Sequence, residues 1–179
     1  MTIETLATQG RTDIPRTLAG IETKKLKQMR NAGLRDCFKH FNEQNYRMEH
    51  VAKIHGKTFI NDASARNVNA TWYTMENYNG SILWIAASGD NEADYTKLHS
   101  AALSKIRALY CVGSDNSNLR KNFDGKIPVI ESVRSLGEAV QKAFYNPIEN
   151  ATIIYSPSAD NGTDLIMDGE AFRMEVNEL

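Results

Sequence analysis

The stretch Ser81-Ile82-Leu83-Trp84-Ile85-Ala86-Ala87 consists of one polar residue followed by six apolar ones. A short apolar run rich in β-branched and aromatic residues is typical of a strand that is buried on both faces of a parallel sheet. Similar runs recur at 106–112, 127–130 and 151–155. The sequence therefore predicts a sheet with four or five parallel strands.

Segments of helix length, which contain both polar and apolar residues, separate these runs. They lie at 68–78, 95–104, 117–123 and 135–144, and the last begins with Ser135 and Glu138 at capping-box spacing. Strands that alternate with helices favour an α/β fold, because each crossover helix packs back onto the sheet. We predict a Rossmann-like, mostly parallel sheet with helices on both faces.

Two further patterns precede this alternation. Short apolar runs on either side of His55-Gly56-Lys57 predict a hairpin or a tight strand connection. Further upstream, apolar residues at helical spacing predict two short helices that end by Asn42; they are Leu26, Met29, Leu34, Cys37, Phe38 and Phe41. We therefore divide the chain into a short helical segment, 1–42, and an α/β domain, 43–179. We expect the apolar stripe of the helical segment to pack on the α/β domain or on a second copy, giving a possible homodimer.

Composition excludes several classes of protein. The chain has 179 residues, of which 41% are hydrophobic and 24% charged, and its formal net charge is −1. No apolar run approaches the ~20 residues that span a bilayer, and the N-terminus has no secretory pattern. We expect a cytoplasmic protein without a membrane partner. Cys37 and Cys111 lack metal-site or redox-motif spacing and are predicted to be buried thiols.

The charge is unevenly divided along the chain. Residues 1–57 hold 11 Lys and Arg against 6 Asp and Glu, a balance of +5. No interleaved aromatic residues or recognition motif accompany these charges, so we interpret them as a solvated helix face and predict no nucleic-acid partner.

Several catalytic motifs do not occur in the sequence. It contains no G-x-x-x-x-G-K-[ST] phosphate loop, no G-x-G-x-x-G and no G-x-S-x-G. The four histidines have no metal-ligand spacing, and we interpret Asp90 and Asp94 as solvated carboxylates. The prediction is that the chain holds no metal and cannot bind a triphosphate by a P-loop of its own.

Ligands of parallel α/β sheets bind at the carboxyl ends of the strands. The corresponding loops here are 61–67, 87–94, 113–117 and 156–164. In the first of them, backbone N–H groups at the start of a helix can face an anion, while Asp62 contacts a sugar hydroxyl or a cation. The alternative is that this loop is only a capped strand-to-helix turn.

Five short motifs occur in one order along the chain: Tyr46-Arg47-Met48-Glu49, Asn61-Asp62-Ala63-Ser64-Ala65-Arg66-Asn67, Ser88-Gly89-Asp90-Asn91-Glu92-Ala93-Asp94, Ser156-Pro157-Ser158-Ala159 and Asp168-Gly169-Glu170-Ala171-Phe172. Together they resemble the C-terminal domain of the Mur ligase family, in particular its D-glutamate-adding branch. That branch has His-Arg-(Leu/Met)-Glu, Asn-Asp-Ser-Lys-Ala-Thr-Asn, Gly-Gly-x-Asp-Lys-Gly-x-Asp, Ser-Pro-Ala and Arg-Gly-x-x-Phe at these places. Residues 1–40 resemble the last helices of the family's central ATPase domain.

The resemblance implies roles for individual residues. Arg47, Asp62 and Asn61 match positions that face the nucleotide bound in the central domain. The positions that carry the incoming amino acid have changed type; they are Ser64, Arg66, Asn91 and Asn161. Replacing a Lys by Asn at a partly dry site removes a charge-assisted hydrogen bond worth roughly 1.5–3 kcal/mol. The resemblance therefore implies a degenerate amino-acid site, with no catalytic residue assigned.

Three functions remain open from the sequence. The first is a stand-alone, non-catalytic module that binds or regulates a Mur ligase. The second is the C-terminal part of a split or truncated ligase, which works with a separate P-loop subunit and uses ATP and Mg²⁺ only in that pairing. The third is a small nucleotide-binding module that uses Arg47, Asp62 and the 61–67 loop.

Overall fold

A computed structural model describes residues 46–87, 93–98, 100–160 and 162–179. The predicted helical segment 1–42, and with it the expected packing of its apolar stripe, lies outside the described residues. The site positions Asn91 and Asn161 lie outside them as well.

The sheet has six strands in the order β1-β2-β6-β3-β4-β5. Every neighbouring pair is parallel except β1 and β2, which form an antiparallel hairpin. This confirms the predicted mostly parallel α/β fold and the hairpin predicted around His55-Gly56-Lys57, which makes β1 an antiparallel edge strand. The strands are β1 Glu49–Ile54, β2 Lys57–Asn61, β3 Ile82–Ala87, β4 Ile106–Val112, β5 Val129–Val133 and β6 Thr152–Tyr155.

Helices connect the parallel strands, and one further helix follows the last strand. They are α1 Val68–Asn77, α2 Ser100–Leu103, α3 Ser117–Phe123, α4 Leu136–Tyr145 and α5 Leu165–Asn177. The Ser135 side chain caps α4 by accepting a hydrogen bond from the Glu138 N–H at 3.2 Å, as its spacing predicts. The helix predicted at 95–104 is instead a 3₁₀ turn, Tyr95–Lys97, followed by α2, because the backbone becomes extended at Leu98.

Alternate residues of the central strands fill two separate layers. Leu83 and Ile85 of β3 face the side that carries Phe172 and Val176 of α5. Trp84, between them in sequence, makes an edge-on contact with Phe123 of α3, with ring centroids 5.4 Å apart. Because both faces of the sheet are covered at its centre, β3 is apolar throughout rather than alternating with polar residues.

The strand order places β6 between β2 and β3. The carboxyl ends of these three strands therefore lie side by side at one edge, where the chain reverses its direction of winding. This is where open α/β sheets bind their ligands. Across the described ranges, no helix combines the length and apolar character needed to cross a bilayer.

Candidate functional site

Two loops meet at this edge of the sheet. The loop after β2 and the loop after β6 are joined by backbone hydrogen bonds, from Asp62 N–H to the Tyr155 carbonyl at 2.8 Å and from Ser158 N–H to the Ala65 carbonyl at 2.9 Å. Ser158 has φ +67°, in the left-handed region that disfavours L-residues. The two loops thus form one hydrogen-bonded unit at the ends of neighbouring strands.

Asp62 is the centre of this unit and is completely buried. Its Oδ1 atom accepts hydrogen bonds from the Arg47 guanidinium at 2.8 Å and from the Met48 N–H at 3.2 Å. Its Oδ2 atom accepts from the Thr74 hydroxyl and, at 3.4 Å, from the Ser156 hydroxyl. The carboxylate therefore links the start of β1, helix α1 and the end of β6.

Opposing effects act on the charge of Asp62. Burial raises the pKa of this carboxyl from 3.8 to about 6, while the Arg47 charge and the Thr74 and Met48 hydrogen bonds oppose the rise. Arg47 is itself buried, and its guanidinium also lies 5.6 Å from the centre of the Tyr73 ring. The two side chains are thus paired inside the domain, away from solvent.

Asn61 lies next to this pair and is fully buried. Its amide nitrogen donates to the Gly169 carbonyl of α5 at 2.9 Å and to the Glu49 carboxylate at 3.2 Å. Its amide oxygen accepts from the Ala63 N–H at 3.3 Å. The structure places Arg47, Asn61 and Asp62 close together, in positions bonded within the domain. Their contact with a nucleotide stays a prediction.

Arg66 connects the same two loops nearer the surface. One guanidinium nitrogen donates to the Asp160 carboxylate at 3.2 Å and to the Thr163 carbonyl at 2.6 Å. The other donates to the Asp168 carboxylate at 2.8 Å. We call Arg66, Asp160, Thr163 and Asp168 the Arg66 cluster. The Arg66 side chain is only 18% exposed, so its partners come from the domain more than from water.

Ser64 is the other described residue of the predicted amino-acid site. Its N–H donates to the Tyr46 carbonyl at 3.4 Å. Its buried hydroxyl makes no hydrogen bond within the described part of the chain. Ser64 and Arg66 thus lie in one loop at the predicted edge, and only Arg66 uses its side chain to hold the loops together.

Three polar residues of the site, Thr71, Thr74 and Tyr95, were not predicted from the sequence, whereas their partners Ser156 and Ser158 lie in the motif at 156–159. Thr71 and Thr74 support Ser156 and Asp62, and the Thr71 and Ser156 hydroxyls lie 2.7 Å apart. Tyr95 and Ser158 pair through their hydroxyls at 3.0 Å. Thr71 and Thr74 are three positions apart on α1, which places them on one helix face, and this spacing is the signal that could have found them.

The described ranges contain no group of three or more His, Cys, Asp or Glu side chains that could hold a metal ion. At this edge the carboxylates of Asp62 and Asp168 each pair with an arginine side chain instead of facing one another.

Comparison with known proteins finds relatives of similar sequence. The UDP-N-acetylmuramoylalanine–D-glutamate ligase of Porphyromonas gingivalis is 33% identical over 180 residues, and that of Bacteroides fragilis is 30% identical over 181. Each alignment covers 98% of this chain and 40% of the ligase, in its C-terminal part. The chain is a relative of the Mur ligases. No protein-family model matches it.

Solved structures with the same fold extend the likeness. The bifunctional folylpolyglutamate synthase/dihydrofolate synthase of Yersinia pestis superposes with a TM-score of 0.53 at 14% identity, covering 76% of this chain and 32% of that one. A murein peptide ligase of Psychrobacter arcticus gives 0.52 at 8% identity, covering 75% and 30%. At this identity the two structures support the fold alone. This Mur ligase relative spans 40% of the length of the curated ligases that it matches.

Proposed function

We propose that this chain is a degenerate Mur ligase C-terminal module that binds or regulates another protein and does not carry out ligation by itself. One observation carries the proposal. Arg66, a cation at the predicted amino-acid site, donates to two carboxylates and a carbonyl of its own domain.

The contacts of Arg66 disfavour an acidic amino-acid ligand. A ligand carboxylate would have to replace that of Asp168, which is 16% exposed and bound at 2.8 Å. A hydrogen bond between charged groups contributes about 1.5–3 kcal/mol. Because the bond lost to Asp168 and the bond formed to the ligand are of the same kind, replacing one carboxylate by the other provides little binding free energy. Asp160, Asp164 and Asp168 also make the neighbouring loop acidic, which repels a dicarboxylate such as D-glutamate.

Arg47 and Asp62 point to the same conclusion for the nucleotide. Both side chains are buried and bonded to each other, so they are not arranged to hold phosphate groups at a surface. Phosphoryl chemistry needs Mg²⁺ and a phosphate-binding loop, and the 179 residues contain no P-loop motif. We therefore propose that ATP and Mg²⁺ become relevant only when a P-loop protein, such as a Mur ligase of the same cytoplasm, pairs with this module.

A second function is favoured by the alignment itself. Identity of 33% over 98% of the chain is what the C-terminal part of an ATP-dependent UDP-N-acetylmuramoylalanine–D-glutamate ligase would show. In that case the chain would supply the amino-acid-binding domain to P-loop and substrate domains present elsewhere, and the Arg66 cluster would open when the domains close.

Titration of D-glutamate into the purified chain by calorimetry tests the first proposal directly. We expect no saturable heat for the native chain. The Asp168→Asn variant, which leaves Arg66 with one carboxylate partner fewer, is the sensitised version. Glu131→Gln, which likewise removes one carboxylate partner from the remote Lys142, is its matched control. Saturable binding to the native chain would contradict the proposal.

A reconstitution separates the two functions. The chain is mixed with a D-glutamate-adding Mur ligase from which the C-terminal domain has been deleted, together with ATP, Mg²⁺, UDP-N-acetylmuramoylalanine and D-glutamate. Phosphate release that requires both proteins would identify a ligase part. Absence of release, together with altered turnover when the chain is added to an intact ligase, is the result that we expect for a regulatory module.

A further inference from the structure

We propose that Asn79 is a site of spontaneous chemical modification, at which the backbone nitrogen of Gly80 attacks the Asn79 side chain. This inference is independent of the proposed function. The site lies between α1 and β3, at the amino end of β3 and therefore at the opposite edge of the sheet from the Arg66 cluster.

The reaction needs an accessible asparagine amide and a following residue that does not block the attack. Asn79 and Gly80 are both exposed. A Cβ atom built on Gly80 would have no heavy atom within 4 Å, so the surroundings leave the connection open. Glycine has no Cβ of its own, which removes the main steric obstacle to approach of its nitrogen.

The side chain of Asn79 also differs from those of Asn61, Asn77 and Asn116. The amide of Asn61 is buried and donates twice, that of Asn77 donates to the Tyr73 carbonyl at 2.7 Å, and that of Asn116 donates to the carbonyls of Cys111 and Gly113. Within the described part of the chain, no hydrogen bond restrains Asn79. Its carbonyl carbon can therefore rotate to meet the Gly80 nitrogen without breaking a contact.

The chemistry balances without a co-reactant other than water. The Gly80 nitrogen forms a bond to Cγ of Asn79, and the side-chain amide leaves as ammonia, carrying the proton of the Gly80 N–H. The resulting succinimide ring is opened by one water molecule at either carbonyl. Attack at one gives aspartate and attack at the other gives isoaspartate, in which the main chain is longer by one methylene.

The position of the site determines the consequence of the reaction. Directly after Gly80, the Ser81 carbonyl accepts from the Thr152 N–H at 2.9 Å, and the Ile82 N–H donates to the Lys105 carbonyl at 2.9 Å. These bonds fix the start of β3, so the added methylene and charge must be absorbed by the 78–80 connection. That connection is exposed, and we expect the modified chain to remain folded and the product to accumulate.

Peptide mass spectrometry on the folded chain, incubated in mildly alkaline buffer, tests the proposal. We expect the side-chain amide of Asn79 to be converted to a carboxyl group several-fold faster than those of Asn61 and Asn116. The increase in mass of the peptide that contains each asparagine measures this conversion. Isoaspartate should be the major product, detected as methyl acceptance from S-adenosylmethionine in the presence of a protein isoaspartyl methyltransferase. Equal rates at the three asparagines would overturn the proposal.

Two variants and one reference state complete the experiment. Gly80→Ala should slow the reaction several-fold, but alanine at φ +86° is strained. Asn79→Gln is therefore included, because it keeps Gly80 and should abolish the isoaspartate signal of the peptide that contains Asn79. The second Asn-Gly pair of the sequence, Asn161-Gly162, lies in a different peptide and is followed separately. The same peptide is followed in the urea-unfolded chain. If folding slows the conversion of Asn79 as strongly as that of Asn61, the fold protects the site and the inference is wrong.

Discussion

Arg47 and Arg66 both pair with aspartates at the same edge of the sheet, at the same distance of 2.8 Å, but in different surroundings. Arg47 and Asp62 have side chains that are 2% and 0% exposed. Arg66 and Asp168 are 18% and 16% exposed, and the further partner Asp160 is 74% exposed. The first pair is part of the core, whereas the second closes a surface loop.

The difference in solvent exposure determines how much each pair contributes to the stability of the fold. Removing two charges from water is costly, and a buried pair repays this cost only with good geometry and additional hydrogen bonds. Asp62 has such bonds from Met48, Thr74 and Ser156. The Arg66 pair keeps some contact with solvent, so its attraction is screened and its loss is tolerated. The buried pair thus fixes the fold, and the other fixes a loop.

The largest effect is expected from Arg47→Met, which leaves the Asp62 carboxylate buried without its cation. We expect the free energy of unfolding to fall by about 3–5 kcal/mol. Urea denaturation followed by circular dichroism measures it, and Arg66→Met is the matched control because it makes the same change of side chain. Equal losses in the two variants would show that burial does not distinguish the pairs.

The pH dependence of stability should also differ in sign between the two regions. Burial raises the pKa of Asp62 to about 6, so the folded state holds the proton more tightly than the unfolded one and the stability contribution of Asp62 falls as pH rises from about 4 to 6. The Gly162 N–H and Arg66 lower the pKa of Asp160, so its contribution is lost as pH falls.

Denaturation of the native chain, Asp62→Asn and Asp160→Asn across this pH range measures the two contributions. As pH rises, the free energy of unfolding of the native chain should fall relative to that of Asp62→Asn. Relative to that of Asp160→Asn, it should rise slightly. If the free energies of unfolding of the native chain and Asp62→Asn differ by the same amount at every pH, Asp62 does not titrate in this pH range.

We expect Gly169→Ala to lower the free energy of unfolding, as a substitution in the buried Arg47–Asp62 pair does. A Cβ atom on Gly169 would lie 2.3 Å from Cγ of the Tyr46 ring, and the Gly169 carbonyl accepts from Asn61, which adjoins the Asp62 pair. Overpacking of this kind costs about 1–3 kcal/mol. Gly137→Ala on α4 is the control, since the nearest atoms to its Cβ would be those of the Glu175 carboxylate, at the far end of a flexible side chain, and alanine favours a helix. Equal unfolding free energies for the two variants would contradict the prediction.

The smallest global effect is expected from Arg66→Met itself. We expect it to lower the free energy of unfolding by about 1 kcal/mol or less. Hydrogen exchange should instead increase locally in the loop between β6 and α5, including the Gly162 N–H that donates to Asp160 at 3.1 Å. Unchanged exchange in this loop would show that the Arg66 cluster does not hold it closed.

Much of the sheet follows from apolar runs, because strands buried on both faces contain few polar residues. The runs at 106–112 and 151–155 match β4 and β6 to within one residue. The run at 127–130 marks β5 too early, since the strand begins at Val129, after Pro128, which has no N–H to donate. Helix α5 is not among the predicted elements because exposed Met167 and Met174 and the buried Gly169 obscure its apolar face.

The site was predicted less completely than the fold. The motif from Asn61 to Asn67 locates the loop, and Arg47 and Asp62 are indeed brought together. The partners of Arg66 lie 94 and 102 positions away, at Asp160 and Asp168, and no local pattern links residues so far apart. Whether a side chain faces solvent or is enclosed likewise depends on packing from several elements, which spacing along one strand or helix does not encode.

The place of β6 in the sheet has a consequence during protein synthesis. Its neighbours β2 and β3 leave the ribosome well before it, and each presents an open edge until residues 152–155 arrive between them. A nascent chain that ends at β5 can form only the hairpin of β1 and β2 and, separately, the three strands β3, β4 and β5. Non-local pairing of this kind is slow, and unpaired edges attract other chains. The late insertion of one four-residue strand is therefore the step at which chaperone assistance would matter most.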